Sequence, residues 1–283
     1  HCRRGPISGG LEPAIAAARA TALAARLRAE GVASLTVDPE LPASPAYEAA
    51  MDRAGFRRAP EAQPSIHLMR LELPPGTTEA TLLAGCSKST RQRIRSASAA
   101  GVRVRTDATG AALEEFALFL VATAERRGFE LRPEAGYLAW WRRLLAAGQA
   151  RLFVADLDGR LIGATLVYLQ GETFATAFSG DRLSDRRTTP GVMQLVRWTI
   201  IREALAGGAR AVALGGVDTP GHRVIPTGPL DVGWGLYQHK AGFGARWVWQ
   251  TPARRILLRP RARLAVGLRA GRDAVRRWGP GLD

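Results

Sequence analysis

The sequence has few cysteines and no long hydrophobic run, and each absence excludes a class of protein. Its 283 residues contain only Cys2 and Cys86, whose separation fits neither a zinc motif nor a CxxC redox motif. We therefore expect free thiols in a reducing, cytoplasmic compartment. No segment approaches the roughly 20 consecutive apolar residues of a membrane-spanning helix. The longest apolar segments, such as residues 161–169, are typical of strands.

The sequence also lacks the short motifs of several enzyme classes. Its histidines are scattered without the spacing of a metal site, so we expect no metal. There is no GxSxG nucleophile elbow, no Walker A loop and no GxGxxG fingerprint after a strand. Residues 184–191 lack the glycine spacing of a pyrophosphate-binding loop, which argues against a coenzyme A thioester as acyl donor.

Basic residues are in large excess. Lysine and arginine total 40 against 25 acidic residues, which gives a net charge of +15. One interpretation is the arginine-rich composition of a high-GC genome. The other is an anionic partner, namely RNA, a phosphorylated precursor or a membrane surface, because such a charge attracts polyanions. Clustering at residues 88–95 and 254–277 favours the second interpretation.

The order of predicted elements indicates an α+β fold with a mixed sheet. After residue 77 it runs helix, helix, strand, helix, helix, three antiparallel strands, helix and strand. Ser44–Pro45 is typical of the start of an earlier helix, and Asp158–Gly159 predicts a two-residue hairpin between two of these strands. Pro74–Gly76 is the clearest internal break, so we predict domains at residues 1–75 and 76–250. The start at His1 resembles the middle of a loop, so we expect the first domain to be truncated at its N-terminus. We also expect residues 251–283 to return to that domain and complete it.

The most distinctive charged segment is a predicted helix near residue 90. Lys88, Arg91 and Arg95 are spaced i, i+3 and i+7, which places them on one helix face. Like charges so close repel each other unless an anion is nearby. A solvated surface helix and an anion-binding helix are the two interpretations.

This segment resembles the K-x-x-R-x-x-I-R-x-A helix of the Fem family of nonribosomal aminoacyltransferases. The resemblance continues in order along nearly the whole chain. Thr123–Phe129 with Arg132 and Tyr137 is similar to the family's T-x-x-R-x-x-F…R…Y stretch. Gly215–Gly216 followed by Gly235–Gly244 resembles its G-G…G-L-Y-x-F-K-x-G-F-G signature, and Val37–Glu40 resembles its I-D-P-E strand end.

Two positions depart from the family pattern. His239 stands where a phenylalanine usually precedes the lysine, which puts the shape of that pocket in doubt. Phe178 stands where a substrate-binding tyrosine is common. Both residues are nevertheless predicted to contact substrate, because they occupy substrate-binding positions of the motif.

The resemblance implies two acetyltransferase-like (GNAT-like) domains in tandem and transfer of an amino acid from aminoacyl-tRNA to an amine of a peptidoglycan precursor, nucleotide-linked or lipid-linked. It implies no cofactor beyond the tRNA donor. Lys240 is the predicted oxyanion-stabilising cation, and Asp38 is a candidate to orient or deprotonate the amine. Arg132 and Tyr137 are predicted to hold the anionic precursor. Lys88, Arg91 and Arg95 are predicted to bind tRNA, and we expect a cytoplasmic protein that contacts the membrane peripherally.

Two other functions stay open from the sequence. One is an N-acyltransferase of the acetyltransferase superfamily that uses an acyl-CoA donor and another amine. The other is a non-catalytic basic module that binds RNA or a membrane surface. Each assigned role also has a purely structural alternative. Lys240 can be a surface lysine, Tyr137 a packed aromatic and Asp38 a turn cap.

Overall fold

The computed structural model describes residues 2–5, 12–61, 65–127, 135–219 and 221–259. The chain divides into two compact units, residues 1–66 with 249–283, and residues 67–248. Elements are numbered along the chain. Those of the first unit are β1 (Cys2–Arg4), α1 (Pro13–Ala29), β2 (Ser34–Pro39), α2 (Pro45–Arg53), β3 (Arg57–Arg58) and β11 (Arg254–Leu257).

The first unit contains a four-stranded mixed sheet in the order β1-β2-β11-β3. β11 pairs antiparallel with β2 over residues 254–257, so this part of the C-terminal segment returns to the first unit as expected. Residues 260–283 of that segment lie outside the described residues. α2 begins as its sequence predicts, because Ser44 Oγ accepts a hydrogen bond from the Tyr47 N–H (3.2 Å) and Pro45 occupies the first turn. Apolar side chains of α1, α2, β2 and β11 form a separate core.

The second unit is built on a seven-stranded sheet in the order β10-β4-β9-β8-β7-β6-β5. Its strands are β4 (Leu68–Glu72), β5 (Arg103–Asp107), β6 (Ala150–Leu157), β7 (Arg160–Gln170), β8 (Thr173–Asp181), β9 (Ala211–Ala213) and β10 (Arg246–Val248). Its helices are α3 (Glu79–Gly85), α4 (Lys88–Ala99), α5 (Leu113–Arg127), α6 (Ala135–Ala146), α7 (Leu183–Thr188), α8 (Val192–Ala206) and α9 (Trp234–Ala241). The predicted mixed α/β fold class is confirmed.

The two faces of this sheet have separate cores, because successive side chains of a strand point to opposite faces. In β6, Phe153 and Ala155 pack into the core shared with α4 and α8. Leu152 and Val154 pack into the core shared with α5 and α6. The sheet is therefore covered by helices on both faces.

The hairpin between β6 and β7 turns where the sequence predicts it. Asp158 and Gly159 have φ values of 50° and 75°, and two successive residues with positive φ form the type I′ turn that favours Asp-Gly. The turn therefore sets the pairing of β6 with β7 where Leu157 lies opposite Arg160.

The boundary between the units differs from the break at Pro74–Gly76. β4 lies before that break, yet it pairs with β9 and β10 in the second sheet. The proline–glycine segment is instead a connection inside the second unit, between β4 and α3. Alternating apolar residues predict that a strand exists, but the partner strand is decided by tertiary pairing.

Among the described residues, no helix is both long enough and apolar enough to cross a bilayer.

Candidate active site

The sheet of the second unit opens between its two parallel strands. β8 and β9 pair only at Thr173–Ala175 and Ala211–Ala213. After Ala213 the chain moves towards β4, where the Leu214 N–H donates to Met69 O (2.8 Å) and the Met69 N–H donates to Gly215 O (3.0 Å). β8 continues to Asp181. Its edge beyond Ala175 therefore faces an opening instead of a neighbouring strand.

A β-bulge lies at the start of this opening. Leu166 of β7 is opposite Phe178 and Val167 is opposite Thr176, so Ala177 is an extra residue in β8. The Thr176 hydroxyl donates to Ala213 O (3.1 Å), across the point where the strands part. Bulges change the direction of the backbone and are common beside active sites, so this feature marks the opening as a candidate site.

Lys240 of α9 brings a buried ammonium group to the opening. Its side chain is buried (4% exposed), and Nζ donates to Gly216 O at 2.6 Å. A Cβ on Gly215 would lie 3.5 Å from Lys240 Nζ and 3.6 Å from Thr176 O. The ammonium group, the glycine pair and the bulged strand therefore meet at one place.

A second buried cation, Arg197, binds His239, the residue that precedes Lys240 on α9. Arg197 of α8 is 6% exposed, and its Nε–H donates to His239 Nε2 at 2.7 Å. Burial lowers the pKa of Arg197 to about 10. Because Nε2 accepts this bond, the imidazole is neutral with its proton on Nδ1. Sequence reasoning missed Arg197, since an arginine within an apolar helix does not reveal its partner.

The aromatic residues predicted to bind substrate meet at a tryptophan. The ring centroids of Tyr137 and Trp141 are 5.8 Å apart, and those of Trp141 and Phe178 are 5.2 Å apart. Tyr137 is half exposed, so it combines a packing contact with an accessible hydroxyl. Trp141 was not predicted, although its i+4 spacing from Tyr137 places both on one helix face. Arg132 lies outside the described residues.

A cavity of about 710 Å³ lies between α5 and the end of β8. Leu118, Phe119 and Ala122 are its apolar lining residues. Four of its charged side chains form two pairs, since Arg126 contacts Asp181 at 3.4 Å and Arg182 contacts Glu115 at 2.8 Å. The fifth, Glu114, pairs with Arg142 outside the lining. The cavity is large enough for part of a small organic ligand.

Asp38 lies in the other unit. It is a buried residue of β2 and lines a small cavity with Glu61, Gln250 and Thr251. Burial and the Asp38 charge together raise the pKa of the neighbouring Cys2 thiol. The role of Asp38 towards an acceptor amine stays a prediction.

The basic helix α4 presents only part of its predicted face to solvent. Lys88 and Arg95 are exposed, but Arg91 is partly buried. Its guanidinium donates to Ala84 O (3.2 Å) and to Cys86 O at the end of α3. Arg91 therefore differs from the other two basic residues of this face, because the last carbonyls of a helix attract a nearby cation.

Comparison with protein families matches residues 84–223 to the family described as acetyltransferase (GNAT) domain. These residues make up most of the second unit, which is therefore similar to a GNAT acetyltransferase domain. The bulge in β8 and Gly215–Gly216 lie within the matched residues, and Lys240 lies after them. Comparison of the sequence with curated proteins finds no match.

Solved structures extend the likeness of the GNAT domain to the rest of the chain. FemX is similar with a TM-score of 0.76 and 16% identity, covering 93% of this chain and 81% of that one. The C-terminal domain of a protein described as a lysylphosphatidylglycerol synthetase from Agrobacterium fabrum has a TM-score of 0.54 and 15% identity, covering 91% and 77%. L-PGS from Bacillus licheniformis has 0.52 and 9%, covering 87% and 74%. The predicted Fem-like fold is thus confirmed.

Proposed function

We propose that this GNAT-containing chain transfers an amino acid from aminoacyl-tRNA to an amine of a peptidoglycan precursor. The observation that carries the proposal is the buried Lys240 ammonium at the opening between β8 and β9, in a chain whose fold matches FemX over 93% of its length. Similar folds in proteins described as lysylphosphatidylglycerol synthetases support transfer of an aminoacyl group in particular.

The composition of the chain supports a specific role for a lysine at this position. Lys88 and Lys240 are the two lysines among the 40 basic residues of the sequence, and all others are arginines. An ammonium group is a compact charge, whereas a guanidinium is a broad planar fork. The site beside Gly215 and Gly216 leaves room for the former, since Nζ lies 2.6 Å from a backbone oxygen.

The reaction needs electrostatic stabilisation and positioning. The acceptor nitrogen attacks the ester carbonyl, the C–N bond forms, and negative charge develops on the carbonyl oxygen. The ester C–O bond then breaks, and the proton lost by the amine is delivered to the departing ribose oxygen. In this proposal the Lys240 ammonium stabilises the oxyanion, and holding the acceptor beside the ester lowers the entropic barrier. Neither a metal nor a covalent intermediate is required.

The exposed part of α4 is the proposed contact for tRNA phosphates. Lys88 and Arg95 are exposed on that helix, and the net charge of +15 favours binding of a polyanion. Arg91 is left out of this contact, because it binds the end of α3. The aromatic group around Trp141 and the neighbouring cavity are the proposed location of the acceptor precursor.

An acyl-CoA donor is the second candidate function, and the match to an acetyltransferase domain favours it. The phosphate groups of such a donor commonly bind at a helix N-terminus. At the N-cap of α8 that position is taken by the backbone of α4, since a Cβ on Gly191 would collide with Arg93 O. This packing argues against an acyl-CoA donor. A non-catalytic basic module is the third candidate, and Lys240 is buried in a way that surface binding of an anion would not require.

One experiment separates these functions. The chain is incubated with labelled aminoacyl-tRNA or labelled acetyl-CoA, together with a nucleotide-linked or a lipid-linked precursor. We expect transfer from aminoacyl-tRNA, loss of transfer in Lys240→Met, and retention of transfer in Arg202→Met, a control that replaces a half-exposed basic side chain outside the proposed tRNA contact. Transfer from acetyl-CoA alone would refute the proposal, and so would equal activities of the two variants.

A further inference from the structure

The connection between β9 and α9 carries three exposed apolar side chains. Within residues 221–233, here called the apolar loop, Val224 is 65% exposed, Leu230 is 100% exposed and Val232 is 50% exposed. Single exposed apolar residues are common on protein surfaces, but three on one short loop mark an interaction surface.

The tip of the apolar loop is closed by its own hydrogen bonds. The Asp231 carboxylate accepts from the Thr227 N–H (2.5 Å), the Thr227 hydroxyl (2.9 Å) and the Gly228 N–H (3.0 Å). The Asp231 N–H donates to Gly228 O at 3.0 Å. Internal pairing of backbone groups lowers the cost of moving a segment out of water. The loop therefore presents Leu230 on a pre-formed turn.

The base of the apolar loop is anchored beside the candidate active site. Arg223 Nη1 contacts the fully buried carboxylate of Asp218 at 2.6 Å. Asp218 follows the Gly215–Gly216 segment that binds Lys240, and the loop ends at α9, which carries Lys240. The apolar loop therefore connects the Gly215–Gly216 segment to the helix that carries Lys240.

We propose that the apolar loop docks on an anionic lipid bilayer, with Leu230 entering the interface. The net charge of +15 favours an anionic surface. Three side chains supply far less area than the roughly 800 Å² per partner of a stable protein interface. Peripheral membrane contact requires only a few apolar side chains supported by basic charge. A bilayer is thus the occupant that fits both the apolar tip and the charge of the chain.

Vesicle sedimentation tests the proposal with the full chain and without any substrate, so its outcome is independent of the proposed reaction. We expect binding to vesicles of phosphatidylcholine and phosphatidylglycerol. Leu230→Glu should weaken it by about tenfold or more, because a charge replaces a side chain that leaves water. Ile15→Glu is the matched control, since Ile15 is an exposed apolar residue on α1 of the other unit, and we expect it to bind as the parent chain does.

Added salt separates the loop from the general charge. Screening should weaken binding of all variants, while the difference between Leu230→Glu and the parent chain persists, because apolar burial is not screened. Val224→Glu is a second variant, and both should unfold at the parent temperature since the replaced side chains are exposed. Binding of Leu230→Glu at parent affinity would overturn the proposal. So would absence of parent binding, or a change of oligomeric state in Leu230→Glu without vesicles, which would indicate a second copy as the occupant.

Discussion

Replacing Arg197 with methionine is expected to stabilise the protein while it impairs activity. Arg197 is 6% exposed, and among the described residues its guanidinium has His239 as its hydrogen-bond partner and no carboxylate partner. Burial lowers the pKa of Arg197 to about 10, well below the ordinary value of an arginine. At about 1.4 kcal/mol per pKa unit, keeping this side chain charged costs the folded state about 3 kcal/mol.

The net gain is smaller than that cost, because the variant also loses a hydrogen bond. His239 Nε2 would lose its donor, which costs roughly 1–2 kcal/mol for a partly buried group. We therefore expect Arg197→Met to raise the free energy of unfolding by about 1–2 kcal/mol. The folded-state pKa is lowered to about 10, so above about pH 10 the unfolded chain binds the proton more tightly than the folded chain does. The cost is complete below pH 10, and the difference between the proteins should be constant from pH 7 to about pH 9.

Urea unfolding followed by circular dichroism measures the difference. Arg202→Met is the matched control on the same helix, since Arg202 is half exposed and contacts Glu79 at 2.9 Å. A surface ion pair contributes about 0–1 kcal/mol, so this variant should unfold close to the parent protein. If Arg197→Met unfolds more easily than the parent by 1 kcal/mol or more (about fivefold), the guanidinium is compensated in the fold and the reasoning is wrong. Activity should fall, because His239 and α9 lose their support beside Lys240.

Three further predictions concern the site and its supports. Lys240→Met should lower single-turnover transfer by about 10²–10³-fold with little change in tRNA affinity; a matching loss of affinity would contradict an oxyanion role. The double variant Lys88→Gln with Arg95→Gln should weaken tRNA binding and flatten its log–log salt slope by roughly 1.4–1.8. Arg91→Gln should mainly lower thermal stability, and a loss of tRNA affinity equal to that of the double variant would refute the different roles of these arginines. Gly191→Ala should destabilise the fold by about 2 kcal/mol or more, because φ is 101° and the new Cβ meets Arg93 O; unchanged thermal unfolding would refute that packing.

The sequence predicted local structure where one residue type has a strong physical preference. Ser44–Pro45 starts a helix and Asp158–Gly159 makes a hairpin, because a side-chain cap and a positive φ are determined within a few residues. The motif around Lys240 was also readable, since glycines and a lysine at fixed spacing resemble a known family.

The hydrogen-bond partners of buried polar groups could not be predicted from the sequence. Arg91 looked like part of a solvated basic face, yet it binds the carbonyl oxygens of Ala84 and Cys86. Arg197 stood in an apolar helix with no sign that His239, 42 residues later, would accept its hydrogen bond. Such pairs depend on how helices pack, and sequence spacing carries that information only within one helix.

The sequence by itself determined the element types, the basic character and the family resemblance of this chain, because propensity, charge and motif spacing are local properties. Only the tertiary structure decided that β4 belongs to the second sheet, that β11 lies between β2 and β3, and that β8 and β9 part beside Lys240. Strand pairing joins residues far apart in sequence. Its energy comes from burial and hydrogen bonds across that distance, which no local pattern specifies.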